Sequence, residues 1–149
     1  KTAVMGDNER VKIIGSNGIQ TQGFIDGAGA DAAERVYASV AGLAPENYTD
    51  GGQQFLKDYA TKFGDTNEPY SVYGYESMSI VLETIENVCA AGGDPTDRAA
   101  INHAIFAIED FQGALGTWSF DENGDTSLMD ITMYQVKSGK YEAVETSRP

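Results

Sequence analysis

The sequence predicts an α/β fold, on three observations. Short β-branched runs at 11–14 and 36–40 read as strands. Between residues 50 and 107, apolar residues recur every three or four positions, the period of helices that bury one face. Residues 113–141 then carry two turn signals, Asn123-Gly124 and Ser138-Gly139, around a segment of strict alternation.

Taken in chain order, the first strand is closed by Gly15. Phe24 and Ile25, set among glycines in 21–29, predict one short helical turn. The second strand alternates Val36, Ala38 and Val40 with Tyr37 and Ser39. Thr49-Asp50 forms an N-cap pair for a helix over 50–63, which carries Phe55, Tyr59 and Phe63 at i, i+4 and i+8 and stops at Gly64. The longest helix is expected over 72–90, with Met78, Val81, Leu82, Ile85, Val88 and Cys89 as its buried stripe and Glu76, Glu83, Glu86 and Asn87 in solvent. Gly92-Gly93-Asp94-Pro95 breaks it, and Thr96 is the expected cap of a third helix over 96–107. Leu115, Trp118 and Phe120 then approach Asn123-Gly124, read as a type I′ turn. In the following strand Ile131, Met133 and Gln135 face one way and Thr132, Tyr134 and Val136 the other, before Ser138-Gly139 turns the chain into Tyr141 and Val144.

Composition excludes several classes. With 23 acidic and 10 basic residues the net charge is −13, which disfavours nucleic acid and anionic membrane surfaces as partners. No apolar run approaches the roughly 18 residues of a membrane span. One cysteine, Cys89, cannot make an internal disulfide and reads as a small buried or half-buried hydrophobe. Asp121, Asn123 and Asp125 sit at the first, third and fifth positions of a Ca²⁺ loop, but Thr126 and Thr132 stand where Gly and Glu are needed, so no metal is expected. His103 has no partner motif, and there is no phosphate loop or nucleophile elbow, so neither a cofactor nor catalysis is expected.

The wording of several segments is more specific than their period. Residues 113–141 resemble the C-terminal end of the type I periplasmic solute-binding proteins of the branched-chain amino-acid class. Val11-Lys12-Ile13-Ile14-Gly15-Ser16-Asn17-Gly18 is similar to that family's strand and ligand-bearing loop. Gly29-Ala30-Asp31-Ala32-Ala33-Glu34-Arg35-Val36-Tyr37-Ala38-Ser39 is similar to a crossing segment, and Pro69-Tyr70-Ser71-Val72-Tyr73-Gly74-Tyr75 to a helix start. The resemblance implies the C-terminal portion of a fold of two Rossmann-like lobes joined by crossovers and ending in a β-hairpin. It implies that 1–36 is part of lobe 2, 37–119 part of lobe 1, and 120–149 a return to lobe 2, with hinges near 36–42 and 113–118. Members are more than twice as long, so a chain beginning at Lys1 without Met or a targeting segment reads as a fragment.

The implied function is that of an extracytoplasmic, periplasmic or extracellular, binding component of an ABC importer for amino acids or related small polar solutes. The alternative is a ligand sensor or regulator on the same fold. Implied partners are the small-molecule ligand, an ABC permease, and the missing N-terminal part of the same protein or a second copy. Asn17 and Gly18 correspond to the loop that meets the ligand's polar head, where the family usually places Asp or Glu. Asn keeps an acceptor oxygen, loses the charge and adds two donors. Read without the resemblance, Ser16-Asn17-Gly18 is a turn whose Asn and Gly tolerate the left-handed region. Tyr70 corresponds to an aromatic wall of the pocket, with Tyr73 beside it; ordinary helix-start packing is the competing reading.

Overall fold

The computed structural model describes residues 11–64 and 70–148. It forms two compact units, Lys1–Ala44 with Met129–Pro149, and Pro45–Leu128.

The first unit is built on a four-stranded mixed sheet. Its strands are β1 (Ile14–Gly15), β2 (Tyr37–Ala41), β5 (Ile131–Lys137) and β6 (Lys140–Ser147), in the order β1-β2-β5-β6. β1 and β2 run parallel, and the other two pairings are antiparallel. The expected alternation of β5 holds: Thr132, Tyr134 and Val136 are buried, while Ile131, Met133 and Gln135 are not. Val136 packs with Ile25, Ala33 and Val36 as the core, flanked by Phe24 and Tyr141. Burying such an aliphatic side chain contributes about 1.5–3 kcal/mol. Ser138 and Gly139 both take positive φ, 52° and 75°, the pair that a two-residue type I′ hairpin needs. β1 is shorter and later than the run 11–14, and 21–29 gives a two-turn helix, α1 (Gln22–Ala28), because the Thr21 hydroxyl caps the N–H of Phe24. A short α2 (Ala30–Ala33) leads into β2.

The second unit contains α3 (Asp50–Phe63), α4 (Ser71–Ala90), α5 (Arg98–Phe106) and a two-stranded ladder, β3 (Phe111–Gln112) with β4 (Thr117–Trp118). α3 has the expected Thr49 cap and Gly64 stop, and its ring ladder Phe55–Tyr59–Phe63 has centroid separations of 5.6 and 4.9 Å. α5 begins at Arg98 because the Asp97 carboxylate, not Thr96, accepts from Ala99 and Ala100 N–H.

α4 departs furthest from its sequence pattern. Its buried residues are Val72, Glu76, Ile80 and Thr84, spaced by four, whereas Met78, Val81 and Leu82 are exposed. Cys89 is exposed too. Apolar spacing alone cannot see Glu76, whose partners turn the Val72, Glu76, Ile80 and Thr84 face inward instead. That carboxylate is enclosed and accepts from Ala114 N (2.7 Å), Leu115 N (3.4 Å) and Trp118 Nε1 (2.9 Å). From the other side, the single proton of Thr49 Oγ1 is shared between the carbonyls of Gly113 and Ala114 (3.1 and 3.0 Å). The 113–116 loop is thus gripped by an N-cap and a buried carboxylate together. Gly113 has to lack a side chain, since a Cβ there would overlap Glu76 Oε1.

Asn123-Gly124 does not join two strands of one hairpin. Of the two, only Gly124 has positive φ, and the turn closes a single bridge, Phe120 with Thr126. Asp121 overrides the type I′ geometry: its carboxylate accepts from Asn123 N (2.8 Å) and Asp125 N (2.9 Å).

Trp118 is the sole tryptophan of the chain, so it reports directly on the Glu76 bonds. Glu76→Ala strands buried donors at Trp118 and Ala114 and is expected to cost about 2–4 kcal/mol in urea unfolding, with shifted Trp emission in the native state. Glu76→Gln, which turns one acceptor into a donor, should fall between. An unfolding midpoint unchanged in both variants would rule out this role.

Candidate functional site

Asn17 and Gly18 lie at the carboxyl end of β1, next to its parallel partner β2. That end of a parallel pair is where α/β proteins place ligand-contacting loops. The Asn17–Ile19 segment is a single 3₁₀ turn, held by Ile19 N to Ser16 O (3.2 Å) and Gln20 N to Asn17 O (3.0 Å). Neither Asn17 nor Gly18 takes positive φ, so the left-handed turn expected from their identities is not what forms. The turn is anchored by the hydroxyl of Tyr141, on β6, which donates to Ile19 O at 2.7 Å. Both residues are exposed, the Asn17 amide makes no hydrogen bond to a described side chain, and a Cβ at Gly18 would meet nothing within 4 Å. The loop therefore presents an amide with an acceptor and two donors on a fixed backbone.

Tyr70 and Tyr73 lie in the second unit, at the entrance of α4. Their ring centroids are 6.0 Å apart, tilted by 51°. Tyr70 is exposed, whereas Tyr73 leans on the cluster of Val72, Ala114 and Leu115. Burial raises the Tyr73 phenol above its ordinary value of 10.0, and the neighbouring Tyr70 adds to this. Tyr75 stacks on Phe55 at 4.7 Å, a packing role.

Sequence reasoning did not find two clefts that lie in the second unit. One, of about 520 Å³, is bordered by Asp50, Tyr75, Glu76, Glu83 and Gln112; the other, of about 590 Å³, by Ile85, Arg98, Asn102 and Ile105. Neither is lined by Tyr70 or Tyr73. Their walls come from residues far apart in sequence, and no local pattern in the sequence marks either. Among the described residues no cluster of three or more His, Cys, Asp or Glu could hold a metal ion. The Asp121 carboxyl is instead held below the usual carboxylate range by the N–H groups of Asp125 and Asn123. His103 is exposed on α5.

A family model described as periplasmic binding protein matches residues 5–140. Among solved structures, a leucine binding protein from Thermotoga maritima is 25% identical, with TM-score 0.78 over 93% of this chain and 37% of that one. A branched-chain amino acid transporter substrate binding protein from Streptococcus pneumoniae, solved with isoleucine, is 22% identical, with TM-score 0.76 over 93% of this chain and 37% of that one. A curated relative, metabotropic glutamate receptor-like protein E of Dictyostelium discoideum, is 34% identical over 96 residues, 60% of this chain and 12% of the relative. The chain thus spans little more than a third of those solved structures and about an eighth of the receptor.

Two outcomes follow from the site's geometry. Because Asn17 and Gly18 are exposed and unstrained, Asn17→Ala and Gly18→Ala should each change unfolding free energy by no more than about 0.5 kcal/mol. A larger loss by chemical denaturation would make the loop structural.

The raised Tyr73 phenol favours the neutral form in the fold. Its contribution to stability is complete below pH 10 and falls as pH rises through the raised folded value. Burial raises Tyr141 in the same direction. Alkaline absorbance titration should therefore show a late phenolate component that shrinks in Tyr73→Phe and again in the Tyr73→Phe, Tyr141→Phe double variant. Loss of an early component instead would contradict the burial of Tyr73.

Proposed function

The chain belongs to the periplasmic binding protein family, a family of non-catalytic binding proteins, and from that premise we propose that it is the C-terminal, ligand-contacting portion of an extracytoplasmic binding component of an ABC importer for amino acids or related small polar solutes. The observation that carries the reading is the match over 93% of the chain to a leucine binding protein, with the exposed Asn17 loop at the carboxyl end of β1. In this reading residues 1–36 and 120–149 are part of lobe 2 and 37–119 part of lobe 1, whereas the compact units divide after Ala44 and before Met129. Asn17 and Gly18 meet the ligand's polar head, and Tyr70 and Tyr73 wall its side-chain pocket. Ligand contacts made in the closed form would draw the population toward it, and that form would engage the permease. The protein would work in the periplasm or outside the cell. A sensor reading is favoured by one finding, the 34% identity to a relative named as receptor-like. Its mark would be a fused signalling domain in place of a neighbouring permease gene.

The remaining partner is polypeptide. Met78 and Leu82 are 57% and 58% exposed on one face of α4, with Val81 beside them. Apolar faces of that kind on a soluble unit mark a contact. We assign it to the rest of the two-lobe fold, or to a second copy when that is absent.

Light scattering of the 149-residue chain should therefore show concentration-dependent association, weakened in Met78→Ser, Leu82→Ser. A compact monomer at high concentration with cooperative unfolding would reject the assignment.

Calorimetry with leucine, isoleucine and neutral polar solutes tests the binding role on the isolated chain and on a protein carrying it within the full two-lobe fold. The full protein should bind one of these solutes and the isolated chain much more weakly. Equal affinities would place the site elsewhere. In the full protein Asn17→Ala should cost about 1–3 kcal/mol of binding. Asn17→Asp should not help if the ligand's head is neutral or anionic, since the new carboxylate gains no cation. A clear gain with Asp would identify an α-amino ammonium group instead.

A further inference from the structure

The chain leaves the first unit after Ala44 and re-enters it at Met129. Both points lie beside one end of the first unit's sheet, where three segments are fastened together. The β2–β5 ladder ends at Ala41 opposite Ile131, and β6 ends at Ser147 opposite the same Ile131. One step further, Gly42 N donates to Asp130 O at 2.6 Å, so the outgoing and returning strands are bonded beyond the ladder proper. Thr132, completely buried, donates its hydroxyl to Gly42 O at 2.7 Å. A hydroxyl has one proton, so in the 2.8 Å contact between the two threonine hydroxyls Thr146 is the donor. The nearly buried Asp130 carboxylate is then held by both arms of the Arg148 guanidinium, Nε at 3.2 Å and Nη2 at 2.5 Å. A two-point fork of this kind fixes orientation as well as distance.

We propose that Asp130, Thr132 and Arg148 form a clasp that fixes the roots of both connections between the units and so sets how freely the units move. Arg148 is its removable part. Its side chain is 64% exposed while that of Asp130 is 9% exposed, so the bolt is drawn from the solvent side. The clasp lies wholly in the first unit and contains none of Asn17, Gly18, Tyr70 or Tyr73. The inference is therefore independent of the ligand reading and can be tested on the chain without ligand.

The experiment uses the exposed native thiol of Cys89 in the second unit and a second label at Asp31→Cys, an exposed site in the first. Spin-label distance distributions are compared between that protein and the same protein carrying Arg148→Ala, Arg148→Lys or Asp130→Asn. Amide exchange is followed at 40–44 and 129–133, and at 134–141 as the internal control. Arg148→Ala is expected to broaden the distance distribution and speed exchange at least tenfold at the two roots, with 134–141 unchanged. Arg148→Lys, which keeps charge but not the fork, should lie between, and Asp130→Asn should resemble Arg148→Ala. An unchanged distance width in Arg148→Ala overturns the proposal whatever the exchange does. Exchange that rises equally at 134–141 overturns it too, because the ion pair would then support the whole sheet rather than its crossing end.

Discussion

The second unit depends on a carboxylate that is buried without a cation among the described residues. Glu76 is shielded from water and satisfied entirely by N–H groups, two from the backbone and one from an indole. A buried acidic group in such a position is tolerated only when its lone pairs are met. Several other features follow from meeting them. The 113–116 loop has to bring two amides inward, Gly113 has to be bare, and Trp118 has to turn its ring nitrogen toward α4. The Ile80, Phe111 and Trp118 cluster is then assembled around the indole that this bond has placed.

The same residue explains where sequence reading succeeded and failed. The β5–β6 hairpin was legible because its information is local: alternation fixes the face, and Ser138-Gly139 fixes the turn. Thr49, Gly64 and the aromatic ladder of α3 were legible for the same reason. The inward face of α4 was not, because its polar anchor takes all its partners from about 40 positions downstream. Asn123-Gly124 was misread through a competing local bond, since Asp121 claims the amides that a type I′ turn would have arranged otherwise. Cys89, expected to be buried or half-buried, lies exposed on the same helix.

The candidate site was legible only in part. Resemblance alone picked out Asn17, where the residues by themselves read as a turn, and the fold puts it on an exposed, rigid turn at a strand's carboxyl end. The turn's rigidity comes from Tyr141, more than 100 residues away in sequence and unremarkable in itself. Tyr70 and Tyr73 differ in environment, one exposed and one packed, although both were read from the same helix start.

β6 is one of the two edges of the described sheet, and an edge offers unpaired backbone groups to any other strand it meets. This edge carries Lys140, Glu142 and Glu145 within eight residues, and Lys137 reaches across from β5 to Glu142 at 3.3 Å. A second strand laid against it would have to strip water from those charges and set like signs side by side. The hairpin thereby resists templating fibrils. Part of the chain's surplus acidity is stationed where runaway cross-β growth would begin.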